Sequence, residues 1–100
     1  MMTGNNGAKR SVCRMRLFLA GNSTNSRIAR QNLEQLQTRV QGCSFEVEIV
    51  DVTEDSRTAL ENEIYLTPAL QILEPGPRTT VFGNLSDSRT LEKLLSGKGL

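Results

Sequence analysis

One hundred residues fit one domain with one core and leave no room for a second. With 37% hydrophobic and 23% charged residues, and no apolar run near the roughly 20 residues a span requires, the composition is that of a soluble globular chain and argues against a membrane segment. A net charge of +1, four scattered aromatics and no histidine argue against a nucleic-acid binder and leave a zinc site almost without ligands.

Residues 1–11, rich in Gly and Asn, lack an apolar stretch for a secretory signal and are expected to be a disordered tail; 12–100 form the domain. Val12 to Ala20 alternates. Cys13, Met15, Leu17 and Leu19 face one way, and Arg14, Arg16 and Phe18 the other, which predicts a strand. Its second half, Leu17-Phe18-Leu19-Ala20, is apolar on both sides, as suits a strand inside a covered sheet. Gly21 lets the chain turn out of the sheet, and Ser23 or Thr24 can cap the next helix. Ala29, Leu33, Leu36 and Val40 then repeat at helical spacing, with Gly42 as the stop.

Phe45 to Val52 alternates again, with Glu46 and Glu48 on its polar side. Strand, long helix, strand predicts a parallel right-handed βαβ unit. Thr53-Glu54-Asp55-Ser56 starts a short helix through Ala59, Leu60 and Ile64. Pro68 should open the strand Ala69–Leu73, because proline has no N–H for a central ladder. Glu74-Pro75-Gly76-Pro77 reads as a hairpin turn, and Arg78 to Phe82 as the return strand. Ser86-Asp87 caps a last helix whose buried stripe is Leu91, Leu94 and Leu95 and whose stops are Gly97 and Gly99.

The order β-α-β-α-β-β-α, with a late proline before a strand, outlines an α/β thioredoxin-like domain: a mixed four-stranded sheet with helices on both faces. That fold reading makes Thr67-Pro68 a structural cis-proline bond. A thioredoxin carries its reactive cysteines in the first turn, whereas here the turn carries Asn22, Ser23 and Thr24. Cys13 and Cys43 are too far apart in sequence for a Cys-x-x-Cys motif. Their apolar settings fit small buried hydrophobes better than a reactive thiol, in a reducing cytoplasm. Without histidine or a paired thiol the usual nucleophile-base assemblies are missing, so the chain reads as a non-enzyme with no cofactor. Basic residues lead the chain and acids crowd the middle, either two solvated surfaces or a dipolar face that orients a protein partner.

Leu17-Phe18-Leu19-Ala20-Gly21-Asn22-Ser23-Thr24-Asn25-Ser26 resembles the strand-turn-helix motif of the KaiB family of bacterial clock proteins. Val50-Asp51-Val52, Leu66-Thr67-Pro68-Ala69-Leu70 and Gly83-Asn84-Leu85-Ser86-Asp87 follow in the family's order, over about residues 12 to 95. The resemblance implies a cytoplasmic regulator that docks on the ATPase ring of a KaiC-like hexamer and modulates its phosphorylation cycle. It also implies competition with a clock histidine kinase carrying a KaiB-like sensor domain, and self-association. The partner face would be the first βαβ unit, through Arg16, Asn22, Glu46 and Glu48.

Departures from the family pattern are specific. Thr24 replaces a usual proline, and Glu48 stands where cyanobacterial members commonly carry lysine. Leu94 stands where they carry a helix-weakening glycine, and the chain ends at Leu100 without their longer acidic tail. Family members can refold in their C-terminal half. Leucine favours a helix over glycine by about 1 kcal/mol, so this chain is expected to rest in the thioredoxin-like state and switch little. Two other readings of the residues are a general interaction module in stress or signalling without a clock, and a thiol enzyme using Cys13 or Cys43.

Overall fold

A computed structural model describes residues 11–96. The expected tail residues 1–10 and the glycine stops Gly97 and Gly99 lie outside the described residues. The elements are β1 (Ser11–Leu19), α1 (Thr24–Arg39), β2 (Cys43–Asp51), α2 (Ser56–Glu61), β3 (Ala69–Glu74), β4 (Thr79–Phe82) and α3 (Ser88–Ser96). The sheet order is β2-β1-β3-β4. β1 runs parallel to β2 and antiparallel to β3, which turns back to β4. No described helix is long and apolar enough to cross a membrane.

Alternation along β1 divides the interior in two. Cys13, Met15, Leu17 and Leu19 pack with Ala29, Leu33 and Leu36 of α1, Leu91 and Leu95 of α3, and Leu70 and Ile72 of β3. On the other face Phe18 packs with Val50, Ala69, Ala59 and Ile64 under α2. Burying each such aliphatic or aromatic side chain stabilises the fold by about 1.5–3 kcal/mol, so both faces of β1 contribute.

The boundaries shift where tertiary contacts override local pattern. β1 begins at Ser11, because its N–H donates to Gly42 O at 3.0 Å, so Ser11 belongs to the sheet rather than the tail. The same register pairs Ser11 with Cys43 and starts β2 two residues before Phe45. α1 stops at Arg39, and Val40 is already extended. Ile49, on the apolar side of β2, is 40% exposed because β2 is an edge strand. β4 begins at Thr79 rather than Arg78.

α2 ends at Glu61, short of Ile64, and leaves Leu60 in solvent. Its end is a Schellman motif. Ile64 N donates to Ala59 O at 2.9 Å and Glu63 N to Leu60 O at 3.0 Å, with Glu63 left-handed at φ 60. The apolar contact that accompanies this motif is Ile64 against Ala59. Ile64 is thus a core residue that sits past the helix, not on it. The Thr67-Pro68 peptide is cis, as are Glu74-Pro75 and Gly76-Pro77.

The cysteines are not two separate hydrophobes. Parallel register makes Cys13 and Cys43 diagonal neighbours across β1 and β2, and their sulfurs are joined as a disulfide. A separation of 30 residues in sequence gives no hint of this, because strand pairing and not spacing brings them together.

Candidate interaction surface

Two places gather polar side chains that the core does not need. The first is the turn between β1 and α1. Gly21 adopts φ 58, a backbone state that glycine holds without side-chain strain. Ser23 caps α1 by accepting from Ser26 N at 3.3 Å, and its hydroxyl donates to Ser26 Oγ at 2.9 Å. Buried Ser26 also accepts from Ala20 N at 3.0 Å, so two hydroxyls satisfy the end of β1 and the start of α1. Thioredoxin-type chemistry would need sulfur at this turn, which here holds oxygen.

Asp51, at the end of β2, ties this turn to the next loop. Its Oδ1 accepts from Gly21 N at 3.0 Å, Thr53 N at 3.0 Å and Thr53 Oγ1 at 2.7 Å. Those bonds, the Thr53 hydroxyl first, hold its carboxyl below the ordinary aspartate value. Asp55 and Asp87 are lowered in the same way, each chiefly by the hydroxyl of the threonine three residues on, Thr58 and Thr90. A carboxylate with a depressed folded pKa stabilises the fold above its unfolded pKa, about 3.9, and loses that contribution as pH falls through the folded value. The urea midpoint is therefore expected to hold steady to about pH 4 and to drop below it. The triple variant Asp51→Asn, Asp55→Asn, Asp87→Asn should show a flatter acid limb; an identical limb would mean that other carboxylates govern acid unfolding.

The second place is the sheet face under α2. This short helix covers only the end of that face holding Phe18, Val50 and Ala69. The remainder carries a ladder of charges. Arg14 Nε donates to Glu46 Oε1 at 3.1 Å and its Nη1 approaches Glu74 at 3.4 Å. Hydrogen bonding to Glu46, then the charge of Glu74, raises the Arg14 pKa. One step along β1, Arg16 Nε donates to Glu48 Oε1 at 2.9 Å. Arg16 Nη1 reaches Asn62 Oδ1 and Gln71 Oε1, both at 3.3 Å. Exposed ion pairs of this kind contribute about 0–1 kcal/mol, so the ladder adds little to folding. The groove along it is shallow and open and is lined by Arg14, Arg16, Glu46 and Glu48, a charged surface rather than the enclosed, mostly apolar pocket that small molecules favour, so the face suits a protein surface better than a metabolite.

Arg16, Glu46 and Glu48 of the sequence reading thus share one open face. Asn22 does not join them: it is exposed in the turn past the end of β1. That end of the sheet also carries Pro68 and Gly83, linked by Gly83 N donating to Pro68 O at 2.9 Å. Arg14, Glu74, Asn62 and Gln71 join that face only through contacts between elements, beyond the residues the sequence pattern points to. A glutamine inside the apolar run Ala69-Leu70-Gln71-Ile72 was the available signal, since a buried amide needs partners.

The KaiB domain family model matches residues 16–96. Circadian clock protein KaiB3 of Synechocystis sp. is 35% identical over 83 residues, 83% of this chain and 78% of that protein. Circadian clock oscillator protein KaiB of Trichodesmium erythraeum is 34% identical over 87 residues, 86% of this chain and 80% of that one. Among solved structures, the N-terminal domain of Synechococcus elongatus SasA superposes with a TM-score of 0.73 at 20% identity, covering 90% of each chain. Chloroplastic thioredoxin z gives 0.70 at 20% identity, over 89% of this chain and 80% of that one. These two structures establish the thioredoxin-like fold.

Proposed function

The chain belongs to the KaiB family, and on that premise we propose that this circadian clock protein is a non-catalytic regulator docking on the ATPase ring of a KaiC-like hexamer. Docking modulates the phosphorylation cycle of the ring, in the cytoplasm, and a clock histidine kinase with a KaiB-like sensor domain competes for the same place. The observation that carries this reading is the family match across 16–96, laid on a thioredoxin-like fold whose first turn holds Asn22, Ser23 and Thr24 in place of thiols.

The docking face of this reading is the charge ladder on the first βαβ unit, Arg16, Glu46 and Glu48; Asn22, in the turn beyond the α2-covered end of the sheet, would be a separate contact of the same unit. Exposed charges at an interface set specificity and association rate more than affinity. Glu48 is paired with Arg16 at 2.9 Å, and a partner that reads this position must match a carboxylate rather than the lysine that the family resemblance implies for cyanobacterial members. The thioredoxin-like state is the working state, and Leu94, packed against the core from α3, supports it.

The test is co-elution with a KaiC-type ATPase from the same organism. The full chain should co-elute with the ring, and the double variant Glu46→Lys, Glu48→Lys should bind about tenfold more weakly or worse, since one misplaced like-charge contact exceeds 1.4 kcal/mol. Absence of co-elution would remove the KaiC reading. Undiminished binding by the double variant would move the interface to another face.

A further inference from the structure

We propose that Cys13 and Cys43 form a reversible thiol-disulfide couple, a modification site that exchanges with small disulfides of the glutathione class and bears on the seating of α3. The pair is built into the sheet. Register matches Ser11 with Cys43 and Cys13 with Phe45, which puts both cysteines on the face beneath α3 with their Cα atoms 5.9 Å apart. That separation lies within the range a disulfide spans. The site is remote from the corner where a thioredoxin works: it lies at the start of β1 and β2, whereas the turn Gly21-Asn22-Ser23 lies beyond the other end of β1.

The two oxidation states differ in what they offer a third group. Cys13 Sγ lies 3.8 Å and Cys43 Sγ 3.7 Å from the carbonyl oxygen of Leu95. That carbonyl lies in the last described turn of α3. As thiols, both sulfurs carry a hydrogen that can be donated to it. As a disulfide, neither does. Oxidation thus removes two S–H donors that stand beside this carbonyl and adds a covalent link between β1 and β2.

The chemistry balances with glutathione disulfide as oxidant. The Cys43 thiolate, 8% exposed against 0% for Cys13, attacks one sulfur of glutathione disulfide and releases one glutathione. The Cys13 thiolate then attacks the mixed disulfide at Cys43 and releases the second. Two protein thiols and one glutathione disulfide become one protein disulfide and two glutathiones; the protein loses two electrons and two protons. Excess reduced glutathione reverses both steps. Reversibility in the cell rests on the cytoplasmic placement proposed above, because a reducing compartment makes an internal disulfide transient or sensing rather than permanent. The pairing itself does not rest on it.

The experiment equilibrates the full chain in anaerobic buffers of graded reduced to oxidised glutathione, quenches in acid, alkylates free thiols in urea and counts them by mass. The two thiols should disappear together, with a midpoint inside the series and no glutathione retained. Amide exchange in the last turn of α3 should be about threefold faster in the oxidised form, the factor one weak S–H···O bond carries. Cys13→Ala should retain one glutathione on Cys43 and lose the coupled transition. Thiols that stay alkylatable at every ratio, a pair that stays oxidised in reduced glutathione alone, or identical α3 exchange in the two states would each overturn the proposal. The thiol count is made on the natural chain, so it stands even if the variant fails to fold, and it does not depend on any KaiC-like partner.

Discussion

Phe18→Ala is expected to lower the free energy of unfolding by about 3–5 kcal/mol, against the roughly 5–15 kcal/mol that a domain holds in total. Phe18 is fully buried and is the largest side chain in the smaller core. It sits between Val50 on β2 and Ala69 on β3 and meets Ala59 and Ile64 across the gap to α2. Two of those neighbours are alanines, with no length to move into the space the ring leaves, so the cavity term persists. Helix α2 has six residues, too few to be stable alone, and its attachment relies on this cluster. The loss should therefore appear twice: in the urea midpoint, and as faster amide exchange in α2 than in α1. Phe18→Leu should restore most of the midpoint. A loss under about 1 kcal/mol for the alanine variant would mean that α2 is held by something other than its apolar contact.

Phe18 also shows how far the sequence can be read. Its alternation with Leu17 and Leu19 is a local property, and the two-sided apolar half of β1 follows from it. So do the amphipathic α1 and the leucine stripe of α3, because each is a period expressed within one element. What is settled between elements stays hidden. Cys43 meets Cys13 only through parallel register, and Arg16 meets Gln71 only through the antiparallel register of β3. Arg16, Glu46 and Glu48 were legible as one face because two strands of one βαβ unit carry them in alternation. The membership of Asn62 was not, because it caps a helix whose end depends on an unusual left-handed Glu63 where glycine is customary. Apolar spacing alone carries the helix on to Ile64 for the same reason: it cannot distinguish one more turn from a Schellman stop.

Gln71→Leu is expected to cost about 1–3 kcal/mol, although it replaces an amide by an apolar side chain in a strand that is otherwise apolar. Gln71 is 3% exposed, and both ends of its amide are used. Its Oε1 accepts from Arg16 Nη1 and its Nε2 donates to Asn62 Oδ1, each at 3.3 Å. Asn62 in turn donates to Thr58 O at 2.8 Å, so the glutamine connects the middle of the sheet to the end of α2. Leucine fills most of the space but leaves Asn62 with one donor fewer and Arg16 with one acceptor fewer. Arg16 keeps Glu48 and some contact with water, which places the expected cost below that of an orphaned buried charge. The network interpretation makes a sharper demand than the single value. Gln71→Leu and Asn62→Ala should be non-additive by about 0.5–3 kcal/mol, because each removes the same bond. Additive losses would mean that the residues act separately. A gain in stability for Gln71→Leu would mean that the polar bridge orients Arg16 for a partner at the expense of folding, and co-elution with the ATPase ring should then weaken while the urea midpoint rises.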